Sequence, residues 1–127
     1  MTEQGLRHRI LVVDDDARTA RLLVRMLRED GYEAELAVDG AGAIGRLTRA
    51  PLPDALVTDL KLPYADGIAV ARYAQSRCPR LPVFVITGHP EFMAGNDSSF
   101  DPPPIVFTKP VDYADLSERL SAAFAAR

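Results

Sequence analysis

The sequence alternates short apolar runs with longer segments whose apolar residues recur at helical spacing. Five runs have the length and composition of strands: residues 9–13, 34–38, 54–58, 83–86 and 105–107. The first is apolar at consecutive positions, which indicates a strand buried on both faces. Strands of that kind belong to a parallel sheet covered by helices on both sides.

The segments between these runs have the periodicity and the end signals of helices. In the first, from about residue 16 to residue 30, the apolar side chains share one face and four arginines lie elsewhere. Asp30-Gly31 ends this helix, because glycine readily adopts the left-handed cap conformation. An aspartate stands at the predicted start of each helix, where its side chain can cap the first amide groups of that helix. These aspartates are Asp16, Asp39, Asp66 and Asp112, with Gly67 as the alternative start of the third helix.

Strands that alternate with helices predict an α/β fold. We expect a flavodoxin-like, doubly wound, five-stranded parallel sheet in the order 2-1-3-4-5. The segment 89–104 departs from this regularity, since it contains four prolines and the helix-poor run Gly-Asn-Asp-Ser-Ser at residues 95–99. A turn or two near residues 90–94 is the most that we expect there, which gives a weak or irregular fourth helix.

Composition limits the class of protein. The 127 residues predict a single domain, 1–127, with a flexible N-terminus over residues 1–8. The net charge of −3 and the absence of a basic stripe argue against direct binding of nucleic acid. No apolar run has the length of a membrane span, and residues 1–9 do not resemble a signal peptide. With one cysteine, Cys78, there is no internal disulfide, and we expect a cytoplasmic protein without membrane contact.

Polar side chains follow four of the predicted strands where each strand ends. They are Asp14 and Asp15, Asp59, Thr87, and Lys109. The carboxyl ends of parallel strands meet at one edge of the sheet, where ligands bind in this class of fold. Three carboxylates at one edge need a cation or raised pKa values, and oxygen ligands suit Mg²⁺. A carboxylate beside such an ion can also act as a nucleophile and form an acyl phosphate.

The choice of cation supports a role for Lys109. Of the 15 basic residues only Lys61 and Lys109 are lysines, so a lysine at a strand end stands out. A compact ammonium on a flexible stem suits a phosphoryl oxygen better than a bulkier guanidinium.

Four motifs together resemble the receiver domains of response regulators in two-component signalling. They are LVVDDD (11–16), DLKLPYADG (59–67), ITG (86–88) and FTKP (107–110), in the order and at the spacing of that family. The resemblance implies that Asp59 is the phosphoacceptor and that Thr87 and Lys109 contact the phosphoryl group. It also implies a cis Lys109-Pro110 bond.

The resemblance further implies a cofactor and partners. Mg²⁺ would be held by Asp14, Asp15 and Asp59, with the backbone carbonyl of Lys61 as a further ligand. The phosphodonor would be a sensor histidine kinase or a phosphotransfer protein, and a downstream protein would be the target. Such a domain is a signalling switch and not a conventional enzyme, since it catalyses only its own phosphorylation and dephosphorylation.

Two features depart from the family pattern. Three residues before Lys109, where receivers often carry Tyr or Phe, stands Val106, while Phe107 points to the opposite face of the sheet. The second is the helix-poor segment 89–104. We hypothesise that this segment is irregular or mobile before activation and orders on phosphorylation or on binding a partner.

Two other functions are compatible with the same residues. A pseudo-receiver would bind partners without taking phosphate. A haloacid-dehalogenase-like phosphatase would also place an aspartate nucleophile after its first strand, but Arg18 stands where that family has Thr or Val. Three side chains also have simpler interpretations: Asp16 as a helix cap, Thr87 as a hydroxyl bonded to nearby backbone, and His89 as a surface residue.

Overall fold

The computed structural model describes residues 7–63, 65–95 and 99–126. In these ranges the strands are β1 (Arg9–Val13), β2 (Glu33–Ala37), β3 (Ala55–Thr58), β4 (Lys61–Leu62), β5 (Ala65–Asp66), β6 (Val83–Thr87) and β7 (Ile105–Thr108). The α-helices are α1 (Ala17–Glu29), α2 (Gly40–Leu47), α3 (Gly67–Arg77) and α4 (Tyr113–Ala125). No helix within these ranges is long and apolar enough to cross a membrane.

Five strands form one parallel sheet in the order β2-β1-β3-β6-β7. This is the predicted order 2-1-3-4-5, because β6 and β7 are the fourth and fifth strands of the sheet. The short strands β4 and β5 pair with each other, antiparallel, in a separate two-stranded sheet. The predicted α/β, flavodoxin-like fold is therefore confirmed. The prediction for the second strand was wrong by one residue. Ala37 pairs with Val13, the last residue of β1, and Val38 lies beyond the ladder and is exposed.

The sheet is covered on both faces, as the consecutive apolar residues of the first strand predicted. In β1, Ile10 and Val12 face a core shared with α1 and α4, while Leu11 and Val13 face a core shared with α2 and α3. All four are almost completely buried. Side chains of this size contribute about 1.5–3 kcal/mol each on burial, so the two cores fix the strand ends rigidly.

All four α-helices begin at an aspartate, as predicted. The side chains of Asp16, Asp39, Asp66 and Asp112 accept hydrogen bonds from the amide groups of Thr19, Gly42, Ala69 and Ala114, respectively. A cap of this kind stabilises a helix by about 1 kcal/mol. Two of these caps, Asp16 and Asp112, set the start of a helix close behind a strand end that carries candidate site residues.

In its described part, the segment after β6 contains the 3₁₀ turn Pro90–Met93 and no α-helix. The weak fourth helix is thus confirmed, although residues 96–98 lie outside the described ranges. Met93 and Phe100 are buried and pack on the core next to α2 and α3. Ordering of this segment on activation stays a prediction. The predicted flexible N-terminus falls largely outside the described residues, while the ring of His8 stacks on Phe124 at 4.0 Å.

Candidate functional site

The carboxylates that follow β1 and β3 meet at one edge of the sheet. One oxygen from each of Asp14, Asp15 and Asp59 lies within 4.8 Å of the others. Asp14 is 8% exposed and Asp59 is 9% exposed, whereas Asp15 faces solvent. Convergence follows from the register, because Val13 of β1 pairs with Thr58 of β3. The sequence therefore predicted this acidic cluster correctly.

Lys109 brings a positive charge into the cluster. Its Nζ donates to Asp59 Oδ2 at 2.7 Å and lies 3.6 Å from Asp14 Oδ2. Burial by itself would lower the pKa of Lys109, but the bond to Asp59 and the charges of Asp14 and Asp59 outweigh burial and raise the pKa. The ammonium is therefore charged at neutral pH and neutralises part of the acidic cluster.

Asp14 is the second buried carboxylate of the cluster. Its Oδ1 accepts a hydrogen bond from the Asp16 amide at 2.9 Å. Burial nevertheless raises the pKa of Asp14 above its ordinary value, and the charges of Asp59 and Asp15 act in the same direction. One ammonium does not balance three carboxylates, so the site favours a further cation. The available donor atoms are carboxylate oxygens, which are hard ligands of the kind that Mg²⁺ prefers.

Asp59 is held by four hydrogen bonds. Its Oδ1 accepts from the Leu60 amide at 2.7 Å and its Oδ2 accepts from Lys109. Its amide donates to the Val13 carbonyl at 3.0 Å, and its own carbonyl accepts from the Thr58 hydroxyl at 2.8 Å. Sequence reasoning missed Thr58, although a hydroxyl residue that ends an otherwise apolar strand was a visible signal.

Gly67 was also missed as a member of the site's surroundings. Its amide donates to the Leu60 carbonyl at 2.7 Å, which brings the start of α3 against the backbone of Asp59. A Cβ atom at this position would overlap the Asp59 carbonyl oxygen. The residue therefore has to be glycine for α3 to begin so close to Asp59.

Thr87 and Lys109 are joined through the backbone at the same edge. The Lys109 amide donates to the Thr87 carbonyl at 2.8 Å, directly after the pairing of β6 with β7. The Thr87 side chain is buried, and its Oγ1 accepts from the His89 amide at 3.0 Å. The simpler interpretation of this hydroxyl, a bond to nearby backbone, is thus present. Its contact with a phosphoryl group stays a prediction.

Lys61 and His89 flank the 3₁₀ turn. Lys61 opens β4, and its Nζ lies 5.4 Å from the ring centroid of Phe92. His89 is exposed, with its Nδ1 3.3 Å from Glu91 Oε2 and its ring 5.3 Å from Phe92. These side chains form a surface cluster that the sequence did not predict. The Lys61 carbonyl as a metal ligand stays a prediction.

Three further expectations are confirmed. Asp16 acts as a cap and accepts from both the amide and the hydroxyl of Thr19. Val106 and Phe107 pack on opposite faces of the sheet, Val106 beside α2 and α3 and Phe107 beside Phe84. The Lys109-Pro110 peptide bond is cis.

Comparisons with known proteins agree with this geometry. Residues 10–121 match the family model described as the response regulator receiver domain. The response regulator MprA of Mycobacterium avium (strain 104) is 38% identical over 117 residues, which cover 90% of this chain and 50% of MprA. The chain thus spans about half the length of the curated relatives that it matches.

Solved structures show the same fold over nearly the whole chain. A CheY-like receiver domain from Methanospirillum hungatei JF-1 superposes with a TM-score of 0.82 at 25% identity, over 91% of this chain and 92% of that one. The response regulator TrrA of Thermotoga maritima, determined in complex with Mg²⁺-BeF, has a TM-score of 0.78 at 25% identity, over 91% and 98% of the two chains. By its fold, by its acidic edge and by the extent of these matches, the chain belongs to the response regulator receiver domain family.

Proposed function

We propose that this domain accepts a phosphoryl group on Asp59 and that this modification switches its binding to a partner protein. The observation that carries the proposal is the environment of Asp59. This largely buried carboxylate lies 2.7 Å from the Lys109 ammonium and within 4.8 Å of two further carboxylates. In phosphoryl transfer a protein mainly positions groups and neutralises charge, and these residues can do both.

The phosphodonor is the phosphohistidine of a sensor histidine kinase or of a phosphotransfer protein. A carboxylate oxygen of Asp59 attacks phosphorus, so that a P–O bond forms while the P–N bond to the donor imidazole breaks. The imidazole leaves with the electron pair of that bond and takes up a proton. Lys109 faces Asp59 Oδ2 and offsets negative charge as the acyl phosphate forms. The domain then catalyses only its own phosphorylation and dephosphorylation.

Asp14, Asp15 and Asp59, with the Lys61 carbonyl, are the residues that would hold Mg²⁺. The ion, when bound, supplies the positive charge that the three carboxylates lack and shields the oxygens of the phosphoryl group. Within this chain, the Asp16 amide fixes the Asp14 carboxylate by its bond to Oδ1. The complex of TrrA with Mg²⁺-BeF supports the same ion here.

The switch runs from Thr87 into the segment that follows it. The Thr87 hydroxyl is bonded to the His89 amide, so any movement of this hydroxyl towards a phosphoryl group acts directly on residues 89–95. Val106 cannot provide the rotating aromatic side chain that many receivers have at this position. The 3₁₀ turn and the exposed Phe92 ring are therefore the surface that a downstream protein would sense. The cytoplasm, where such kinases hold their phosphohistidine, is the proposed location.

The intact mass of the protein after treatment with phosphoramidate tests the acceptor and the metal together. We expect one added phosphoryl group that requires Mg²⁺, is abolished by EDTA and is absent in Asp59→Asn. Asp101→Asn is the matched control, because it removes an exposed carboxylate that pairs with Arg80. No adduct on the wild type under any condition would contradict the proposal and favour a pseudo-receiver.

A further inference from the structure

We infer that Thr58 is a positioning residue for Asp59, acting through the peptide group that links Asp59 to Leu60. This inference rests on the proposed role of Asp59 as phosphoacceptor. Thr58 is the last residue of β3 and is 1% exposed. Its hydroxyl donates to the Asp59 carbonyl at 2.8 Å, within the backbone of the acceptor itself.

The same peptide group is held from a second side by Gly67. The space that a Cβ atom would need at Gly67 is filled by the carbonyl carbon and oxygen of Asp59 and by the Cα of Leu60. The Gly67 amide also donates to the Leu60 carbonyl at 2.7 Å. The Asp59–Leu60 peptide is therefore fixed by a hydrogen bond on its carbonyl and by close packing of the start of α3.

This peptide group controls the orientation of the acceptor side chain. Its amide, that of Leu60, donates to Asp59 Oδ1 at 2.7 Å, while Lys109 donates to Oδ2 at 2.7 Å. A rotation of the peptide would carry the amide away from Oδ1 and so remove one of the two hydrogen bonds that orient the carboxylate. Thr58 thus fixes Asp59 Oδ1 indirectly, by fixing the carbonyl at the other end of the same peptide.

Packing alone does not call for a hydroxyl at position 58. The other residues of β3, Ala55, Leu56 and Val57, are apolar and buried. Valine has almost the shape of threonine and suits a strand at least as well. A buried hydroxyl is tolerated only because it has a partner, and here that partner is the acceptor's carbonyl. The substitution Thr58→Val therefore removes the hydrogen bond with little change in packing.

The rate of phosphorylation by phosphoramidate, with Mg²⁺ in excess, gives the first test. Because small misplacements of reacting groups cost one to two powers of ten in rate, we expect Thr58→Val to be slower by roughly tenfold. Thr58→Ser restores the hydroxyl and should restore most of the rate. Thr48→Val is the control, since it removes another hydroxyl-to-carbonyl bond, to Gly45 at 2.7 Å, at the exposed C-terminal end of α2. Thermal unfolding confirms that each variant is folded at the assay temperature.

A second test needs neither metal nor phosphate. In the unmodified protein, the amide proton resonance of Leu60 should shift and its exchange with solvent should speed up in Thr58→Val, but not in Thr48→Val. Gly67→Ala should produce the same change, whereas Gly45→Ala should not, because a Cβ at Gly45 meets open space. If Thr58→Val does not fold, Thr58→Ala, which also lacks the hydroxyl, takes the place of Thr58→Val in both tests.

The outcomes separate this inference from the proposed function. A wild type that takes no phosphoryl group defeats the proposed function, while the Leu60 amide still reports on the positioning. A wild-type rate and an unchanged Leu60 amide in Thr58→Val would overturn the positioning role. A slow Thr58→Val that Thr58→Ser does not rescue would overturn it as well.

Discussion

Removing the Lys109 ammonium from the acidic cluster should destabilise the fold, because the carboxylates of Asp14 and Asp59 would lose the cation beside them. The perturbation is Lys109→Met, which keeps an unbranched apolar stem in place of the lysine chain. Asp59 and Asp14, at 2.7 and 3.6 Å from Nζ, would then remain largely buried without this cation. Breaking a buried ion pair from one side costs about 3–5 kcal/mol. Because Lys109 is 33% exposed, we expect a loss of roughly 2–3 kcal/mol in the free energy of unfolding.

Urea unfolding at neutral pH in EDTA, followed by far-ultraviolet circular dichroism, measures this loss. For a domain of 127 residues it corresponds to a fall in Tm of roughly 8–12 °C. Added Mg²⁺ should restore part of the lost free energy of unfolding, because it places positive charge beside the same carboxylates. The other lysine provides the control. Lys61→Met removes a cation that lies over the exposed ring of Phe92, which should cost about 0.5–1 kcal/mol.

A Lys109→Met variant as stable as Lys61→Met, or more stable than wild type, would refute this reasoning. It would mean that desolvation of the ammonium cancels its attraction to the carboxylates. The carboxylates of Asp14, Asp15 and Asp59 would then not need a cation, and they would not favour a metal ion.

Three other predictions concern single residues or segments. Since burial raises the pKa of Asp14 in the folded protein, its ionisation costs stability as pH rises from its ordinary range through the folded pKa. Asp14→Asn should therefore have a higher Tm than wild type at neutral pH, and calorimetry should show the difference shrinking in acid; a constant difference would contradict the stated cause. Tyr113→Phe removes a 2.6 Å hydrogen bond to Asp30 between α4 and the end of α1, and urea unfolding should show a loss of about 1 kcal/mol. In amide exchange, residues 89–95 should exchange faster than α3 and become protected on phosphorylation, whereas a stable multi-turn helix before phosphorylation would exclude the ordering hypothesis.

Much of the fold could be predicted because the dominant signals are local. Consecutive apolar residues mark the strands, and aspartates at the helix starts form caps that depend on residues only two or three positions apart. The strand-end rule then placed Asp14, Asp59 and Lys109 together, since parallel strands deliver their ends to one edge. The short strands β4 and β5 were not predicted, because a strand of two residues shows no periodic pattern.

Two of the features that sequence reasoning missed are contacts between residues that lie apart along the chain. The need for glycine at position 67 comes from the Asp59 carbonyl, eight positions earlier along the chain. The cation–π contact of Lys61 with Phe92 joins β4 to the 3₁₀ turn, and neither element has a sequence pattern that specifies the other. The Thr58 hydroxyl bonds to its immediate neighbour, but its importance appears only when Asp59 is recognised as the centre of the site.

Reductive trapping of the phosphorylated residue tests the central claim most directly. Borohydride converts an aspartyl phosphate to homoserine, and peptide sequencing by mass spectrometry then identifies the position. After treatment with phosphoramidate and Mg²⁺, we predict homoserine at position 59 alone, with Asp14 and Asp15 unchanged. Homoserine at position 14 or 15, or an adduct that resists reduction, would contradict the assignment of Asp59 as the phosphoacceptor.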